Sequence, residues 1–271
     1  MRFAAILLNW NKGDLTCACL DSLLEAGFEL QNIIVVDNAS TDGSPAIIAS
    51  RFPELRILRN KANLGFGAGN NVGIRDALAS GAKFIWLLNN DTIVAKGTFT
   101  AMLEQMEADP KIGIVGSVIS RMDSTRALQA FGGYKLNVER CYVLPCAIGE
   151  RPDFITGASM LLRREALLDS GLFDEKFFMY WEDADLCLRI KAHGWGIAVA
   201  EGSALLHAEG GSGTSFKAWR HSTRSALRFS WKHSPCLIKT LAIGFFLDRG
   251  VKPPLKALLK WMLRLSAQAP R

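Results

Sequence analysis

Apolar runs alternate with amphipathic stretches over the first ninety residues of the chain. Four runs of aliphatic and β-branched residues predict buried strands over 3–9, 32–37, 55–60 and 83–89. The helical spacing of apolar residues between them predicts helices over 15–27, 44–52 and 67–81. Ser44 is the expected N-cap of the second helix, with Pro45 in its first turn. Strands that are apolar throughout and alternate with helices indicate an α/β fold, with a mostly parallel central sheet flanked by helices.

The pattern loosens after residue 91. The remaining predicted elements are a helix over 97–110, a strand over 111–120, a β-hairpin or irregular flap over 127–148, a strand running into a short helix over 154–171, a helix within 179–195 and short strands over 196–212. A basic segment begins near Gly213. The chain therefore divides into a body of residues 1–212 and a C-terminal helical tail of residues 213–271.

Every predicted strand of the first half is followed by a polar residue. These residues are Asn9, Asp37, Asn63 and the run Asn89, Asn90 and Asp91. In open α/β sheets, ligands bind outside the carboxyl ends of the strands. One such residue is explained by a turn, but four in register predict a binding site.

Asp37 and Asp91 each allow two interpretations. Asp37 either forms an Asx turn after its strand or accepts hydrogen bonds from a nucleotide base or ribose. Asp91 either caps the following turn or binds a hard cation such as Mg²⁺ or Mn²⁺, because one carboxylate is enough when substrate phosphates supply other oxygens. The glycine run "GFGAGN" follows the third strand rather than the first, so it does not indicate a dinucleotide fold.

Glu182, Asp183 and His207 are further candidates for chemistry. Glu182 and Asp183 open a predicted helix, where the macrodipole favours carboxylates with no other function. The preceding "KFFMYW" instead predicts an apolar setting that raises the proton affinity of a neighbouring carboxylate, as a general base requires. His207 ends a strand before a glycine-rich loop, which suits either a structural role or a site.

Composition and charge narrow the class of protein. Hydrophobic residues make up 49% of the chain and charged residues 21%, which predicts a filled core and excludes global disorder. Six cysteines without CxxC spacing indicate reduced thiols in a cytoplasmic protein, with a disulfide as the alternative. Neither a signal peptide nor an apolar run of about 18 residues, as a membrane span needs, is visible in the sequence.

The net charge of +6 is unevenly distributed. From Lys217 onward there are twelve basic residues and one acid, which leaves 20 basic and 25 acidic residues before it. The tail also carries Trp, Phe and Leu among its cations, a composition typical of an interfacial helix on anionic lipid. The alternative is a basic helix packed on its own domain. No nucleic acid is expected, because no reading motif accompanies the charge.

Six segments, taken together and in order, resemble one known family. They are "ILLNWNKGDLTCACLDSLL", "IIVVDNASTDGS", "NLGFGAGNNVGI", "WLLNNDTIV", "ITGASMLLRREALLDSGLFDEKFFMYWEDADLCLRIKAHGW" and "LLHAEGGS". Over residues 3 to 212 they resemble family-2 glycosyltransferases of the GT-A fold, in the rhamnosyltransferase-like branch. The body would then be the catalytic domain.

The resemblance implies roles for the candidate residues. The nucleotide-sugar-binding group would be Asn9, Asp37, Asn63, Asn71, Asn89 and Asn90. Asn89 to Asp91 stand where many members have Asp-x-Asp, so Asp91 would bind Mg²⁺ or Mn²⁺, and Asn89 makes the site less charged. His207 would complete the metal or diphosphate shell. Asp183 would be the catalytic base, with Glu182 orienting the acceptor.

The implied activity is sugar transfer from a nucleotide diphosphate, dTDP-rhamnose being favoured, to a hydroxyl of a lipid-linked or cell-surface glycan. One base without a second carboxylate as nucleophile predicts direct displacement with inversion, by analogy with glycosidases. The tail would hold the enzyme on the inner face of the cytoplasmic membrane. The alternatives are a nucleotidyltransferase, for which "LLNWNKGD" is a poor triphosphate loop, and a non-catalytic sugar-nucleotide binding module.

Overall fold

Four parallel strands form one half of the central sheet. The computed structural model describes residues 2–138, 142–208 and 216–233. The four strands are β1 (Phe3–Asn9), β2 (Ile33–Asp37), β3 (Arg56–Arg59) and β4 (Phe84–Asn89). They lie in the order β3-β2-β1-β4, and every neighbouring pair is parallel. The predicted βα alternation is confirmed, because strands without a polar face need helices on both sides.

The helices between these strands cover both faces of the sheet. They are α1 (Gly13–Glu25), α2 (Ser44–Arg51) and α3 (Phe66–Ala79). Buried residues of α1 and α2 belong to the apolar cluster on one face, and those of α3 belong to the cluster on the other. α3 lies close to the strands because a Cβ at Gly73 would stand 2.6 Å from the Ile6 side chain. Gly69 and Gly73 of "GFGAGNNVG" therefore allow α3 to pack closely on the sheet.

The second half of the chain extends the sheet with mixed pairing. Its elements are β5 (Thr92–Val94), α4 (Thr98–Ala108), β6 (Ile112–Arg121), β7 (Leu128–Phe131), β8 (Gly133–Asn137), β9 (Tyr142–Pro145), β10 (Phe154–Ile155), β11 (Ser159–Arg163), α5 (Arg164–Ser170), α6 (Glu182–Ala192), β12 (Gly196–His207) and α7 (Phe216–His233). β11 inserts antiparallel between β4 and β6. β12 runs parallel to β6, and its last residues pair antiparallel with β5.

Two local predictions are corrected. Ser44 is not the N-cap of α2, because Gly43 occupies that position at φ 82° and Ser44 is the first helical residue. The Ser44 amide donates instead to the Asp42 carboxylate at 3.0 Å, so Asp42 forms the turn. The short strands expected over 196–212 are one strand of twelve residues, β12, with an irregularity between Ala200 and Leu205.

The described part of the tail is the helix α7. Its Phe229 is fully buried in the apolar cluster that also contains residues of α3 and α6. No helix within the described ranges combines the length and apolar character that a bilayer crossing requires. Residues 209–215 and 234–271, which include most of the predicted tail, lie outside the described residues. Cys17, Cys19, Cys146 and Cys187 are free thiols.

Candidate active site

The carboxyl ends of β1, β2 and β4 bring the predicted polar residues to one edge of the sheet. Asn9 stands opposite Asp37 in the β1–β2 register, and Leu8 stands opposite Asn89 in the β1–β4 register. Parallel pairing forces this arrangement, since strands in register end together. The predicted rim of Asn9, Asp37 and Asn89 is therefore present.

Asn9 and Asp37 form a buried pair beneath this rim. The Asn9 amide donates to Asp37 Oδ1 at 2.9 Å and to Ser40 Oγ at 3.0 Å. The other carboxylate oxygen of Asp37 accepts the Ser40 amide at 3.2 Å, which is the local turn that the alternative interpretation predicted. Both side chains are at most 3% exposed. Their orientation is therefore fixed before any ligand binds.

Asn63 reaches the same edge through Asn38, a residue that the sequence analysis did not single out. The buried Asn38 amide donates to Asn63 Oδ1 at 3.0 Å and to the Gly65 carbonyl at 3.1 Å. Its oxygen accepts the Leu64 amide at 3.0 Å. Asn38 thus fastens the loop before α3 to the end of β2. Its position directly after Asp37 was the only sequence signal for this role.

Asn71 has a different environment from the other predicted binding residues. It is fully buried on α3, where its amide donates to the Phe173 carbonyl at 2.9 Å and to Glu175 Oε1 at 3.1 Å. Its oxygen accepts the Phe173 amide at 3.1 Å. These contacts attach the loop that follows α5 to α3. Its role in donor binding stays a prediction, while its role in positioning that loop is observed.

Asp91, His207 and Asn89 form a compact polar cluster at the end of β4. Pairing of β12 with β5 places His207 opposite Thr92, next to Asp91. His207 Nε2 lies 3.2 Å from Asp91 Oδ1 and 3.2 Å from the side-chain amide nitrogen of Asn89. The Asp91 carboxylate therefore contacts side chains across the site, and its role in binding a cation stays a prediction.

Lys12 joins the cluster from the loop after β1. Its ammonium lies 3.2 Å from Asp91 Oδ2. The sequence analysis missed this residue, although it stands three positions beyond the end of a strand that lines the rim. Asn90 turns toward α1 instead, since its side-chain amide donates to Thr16 Oγ1 at 2.8 Å. Thr16 in turn donates to Asn9 Oδ1 at 2.8 Å, which connects the two polar groups.

The electrostatics of Asp91 favour its charged form. Burial alone would raise the pKa of this carboxyl, but the hydrogen bond and charge of His207, together with Lys12, lower it below the usual value. A carboxylate and an imidazole suit a divalent cation such as Mn²⁺. Within the described residues no third acid, His or Cys completes a ligand group here, so a cation would also need oxygens from a bound diphosphate.

Glu182 and Asp183 open α6 beside the same edge. Asp183 Oδ2 accepts the Gly157 amide at 3.0 Å, and Oδ1 accepts the Ala184 amide at 2.8 Å. Burial raises the pKa of Asp183, despite these two backbone donors. Glu182 is 5% exposed, and burial together with the Asp183 charge raises its pKa well above the usual value. No described group donates to or accepts from Glu182 Oε2. The predicted apolar setting is present.

A short segment before β11 connects the acid pair to the Asp91 cluster. The Gly157 backbone amide donates to Asp183, and the carbonyl of the next residue, Ala158, accepts the Asn89 backbone amide at 3.0 Å. Asn89 in turn contacts His207, which contacts Asp91. The two groups, far apart in sequence, therefore line one continuous edge of the sheet. Antiparallel insertion of β11 next to β4 produces this arrangement.

Comparison with known proteins agrees with this architecture. The chain is 29% identical to the N-acetylglucosaminyl-diphospho-decaprenol L-rhamnosyltransferase of Mycobacterium tuberculosis. The alignment covers 83% of this chain and 87% of the relative.

Two solved structures share the fold at low sequence identity. The mannosyltransferase PcManGT from Pyrobaculum calidifontis, in complex with GDP-Man and Mn²⁺, aligns with a TM-score of 0.62 and 19% identity over 100% of this chain and 76% of that one. S. aureus TarS 1-349 in complex with UDP aligns with a TM-score of 0.65 and 16% identity over 97% of this chain and 78% of that one. The expected GT-A fold is confirmed.

The family model described as glycosyl transferase family 2 matches residues 5–170, a span that runs from β1 to the end of α5 and contains the whole Asn9 to Asp91 rim. The chain therefore belongs to glycosyltransferase family 2, in agreement with the resemblance of its motifs to the rhamnosyltransferase-like branch.

Proposed function

We propose that this glycosyltransferase moves a sugar from a nucleotide-diphosphate donor to an acceptor hydroxyl by a single displacement that inverts the anomeric centre. The observation that supports this proposal most strongly is the shared edge of Asp91 and Asp183, joined through Gly157, Ala158 and Asn89. One end of that edge is polar and partly cationic, and the other holds a carboxylate of raised proton affinity. A transferase needs one end for the leaving group and the other for the attacking hydroxyl.

Donor binding is assigned to the rim at the ends of β1 and β2. Asp37 would accept from the nucleotide base or ribose, and Asn9 and Asn63 would shape the same pocket. Asn89 and Asn90 would contact the diphosphate or sugar. The rigid hydrogen bonding around Asn9 and Asp37 supports this assignment, because a preorganised pocket loses little side-chain entropy on binding.

The chemical step starts at Asp183. Its carboxylate takes the proton of the acceptor hydroxyl, and the oxygen attacks the anomeric carbon. The bond from that carbon to the diphosphate oxygen breaks, and the nucleoside diphosphate leaves with the bonding electrons. Glu182, whose pKa is raised by burial and by the Asp183 charge, orients the acceptor by hydrogen bonding. The same raised pKa disfavours the charged carboxylate that a nucleophile needs, which favours inversion over a covalent intermediate.

The step also requires that the negative charge developing on the leaving diphosphate be stabilised. Lys12 and His207 place positive or hydrogen-bonding groups around Asp91. A divalent cation held by Asp91 and His207, Mg²⁺ or Mn²⁺, would neutralise the charge that develops on the diphosphate. This assignment predicts that Asp91→Ala removes the difference in nucleoside-diphosphate affinity between buffers with Mn²⁺ and with EDTA. Calorimetry that finds the difference intact would remove Asp91 from the metal site.

The favoured donor is dTDP-rhamnose, and the favoured acceptor is a lipid-linked or cell-surface glycan. The Mycobacterium tuberculosis relative, whose name specifies rhamnosyl transfer to an N-acetylglucosaminyl-diphospho-lipid, supports both assignments. The test incubates the protein and Mn²⁺ with dTDP-rhamnose, UDP-GlcNAc or GDP-mannose and a short-chain polyprenyl-diphospho-GlcNAc. Rhamnosylated lipid is the expected product. Pyrophosphate release from a nucleoside triphosphate and a sugar 1-phosphate would indicate a nucleotidyltransferase, and donor binding without any transfer would indicate a binding module.

The tail is proposed to place the enzyme on the inner face of the cytoplasmic membrane. The outward side of α7 presents aromatic residues, with Phe216 77% exposed, Trp219 41% and Trp231 74%. Arg220 is exposed on the same helix. Aromatic and basic residues on one helical surface are typical of binding at an anionic lipid interface. Trp219→Ala with Trp231→Ala should reduce co-sedimentation with phosphatidylglycerol vesicles, and unchanged binding would exclude α7 as the contact.

A further inference from the structure

The base-bearing helix α6 is preceded by a strained turn. Tyr180 and Trp181 both have φ of 71°, a left-handed conformation that bulky residues rarely adopt. Glu182 and Asp183 follow immediately. Strained backbone persists where surrounding structure holds it in place. The contacts that hold this turn therefore also determine where the Asp183 carboxylate lies.

Helix α7 supplies apolar and backbone contacts to this turn. The Ser225 hydroxyl donates to the Met179 carbonyl at 2.8 Å. The fully buried Phe229 ring packs against the Trp181 ring at a centroid distance of 4.9 Å. One turn before Ser225 on α7, the His221 ring stacks on the Phe178 ring at a centroid distance of 4.3 Å. Successive turns of α7 thus contact, in order, Phe178, Met179 and Trp181 of the segment that leads to the base.

Charged contacts fasten both ends of the same segment. Asp174 accepts hydrogen bonds from Arg228 at 2.7 Å and from Lys232 at 3.0 Å. Lys232 also lies 2.6 Å from Asp185 Oδ1, and His233 lies 2.8 Å from the same oxygen. The Asp185 side chain is completely buried on α6, two residues after the base. Lys232 therefore connects the start of the segment with its end.

We infer that α7 is a positioning element for the catalytic base, and that Lys232 is its central positioning residue. The inference rests on the proposed function, since it assigns the role of base to Asp183. Lys232 acts through Asp185 and Asp174, and it does not contact substrate. The link from Asp183 to Gly157 then transmits this placement to the rim that holds the donor.

The variant Lys232→Met tests this inference with little change in packing. The Lys232 ammonium lies 5.8 Å from the Phe177 ring centroid, and a methionine keeps an apolar side chain of similar length there. We expect kcat to fall about tenfold or more, because a misplaced catalytic group costs up to about 10²-fold in rate. The KM for the donor and the affinity for nucleoside diphosphate should stay within twofold. Lys232→Arg, which keeps both ion pairs, should restore most of kcat, and the exposed Lys96→Met should match wild type.

A second measurement does not depend on activity. The Gly157 amide donates to Asp183 Oδ2, so its hydrogen exchange reports where the base lies. Lys232→Met should accelerate exchange at Gly157 several-fold, whereas Lys96→Met should leave it unchanged. Unchanged kcat, unchanged Gly157 exchange, or a parallel loss of donor affinity and melting temperature would each overturn the inference. If wild type transfers no sugar, the proposed function fails, and Gly157 exchange still decides whether α7 positions Asp183.

Discussion

Replacement of Asp183 by asparagine separates proton removal from donor binding. General-base catalysis contributes roughly 10²–10⁴-fold to the rate. At about 1.4 kcal/mol per factor of ten, this corresponds to roughly 3–6 kcal/mol of transition-state stabilisation. We therefore expect Asp183→Asn to lower kcat by about 10²–10⁴-fold. The substitution does not touch the proposed donor rim at Asn9 and Asp37, so nucleoside-diphosphate affinity should remain within about twofold of wild type.

The structure also fixes the expected effect of this substitution on folding. Both Asp183 oxygens accept backbone amides, from Gly157 at 3.0 Å and from Ala184 at 2.8 Å. Asparagine has one oxygen, so one amide loses its acceptor at a cost of about 1–3 kcal/mol. Removing a charge that burial disfavours offsets part of this loss, because the pKa of Asp183 is raised. The melting temperature should therefore change by a few degrees only, and the loss of kcat should greatly exceed the loss of folded protein.

The assay compares three proteins under identical conditions. Nucleoside-diphosphate release and product formation give kcat, calorimetry gives donor-product affinity, and thermal melting gives stability. Glu182→Gln is the matched variant: because the pKa of Glu182 is raised, the neutral amide resembles the protonated acid, and kcat should fall less than about tenfold. Asp183→Asn with more than half of the wild-type kcat, or Glu182→Gln with the larger loss, would refute the assignment of the base.

The pH dependence of wild-type activity provides an internal check on the same residue. As the proposed base, Asp183 must be deprotonated to take the proton of the acceptor hydroxyl, and burial raises its pKa. The rate should therefore rise with pH through an apparent pKa above the usual aspartate value of about 3.9. The apparent pKa of the rate profile belongs to the Glu182–Asp183 pair, since neighbouring carboxyls titrate together. A profile without an acidic limb would contradict a carboxylate base.

Three further predictions concern stability. Gly65→Ala should lower the melting temperature more than Gly81→Ala does. Both glycines have positive φ, a conformation that costs a residue with a side chain about 1–2 kcal/mol. Only at Gly65 would the added Cβ also lie 2.1 Å from the Phe178 carbonyl oxygen. Equal losses would contradict the close approach. The lowered pKa of Asp91 contributes stability that is complete above its unfolded pKa of about 3.9 and is lost as pH falls through the folded value. Denaturant unfolding of Asp91→Asn should therefore lose less stability between pH 5 and pH 2.5 than wild type, and a loss equal to that of wild type would remove this contribution. Asn71→Ala should cost about 1–3 kcal/mol for each buried partner left unpaired in the loop after α5, measured by denaturant unfolding; a neutral effect would mean that this loop has other attachments.

The α/β architecture of the first half follows from the residue pattern alone. β1, β2 and β4 are apolar up to their last residue, and such strands are stable only between two layers of helices. Parallel strands in register end at the same edge, so the order of elements was enough to bring Asn9, Asp37 and Asn89 together. Motifs in the sequence also led to the correct family, because the six segments occur together and in order.

The contacts between distant segments depend on the folded arrangement of the strands and helices. Lys12 and His207 meet Asp91 because β12 pairs with β5, and no local pattern encodes that pairing. The same holds for α7, whose basic residues resemble a free interfacial helix in sequence, whereas Lys232 and His233 turn inward to the buried Asp185. Periodicity specifies which side of an element is apolar, but a charge at its edge pairs with whatever the global packing places within reach. Asp183, the proposed base, owes its raised pKa to burial in that packing, which the apolar segment before it indicated but could not produce alone.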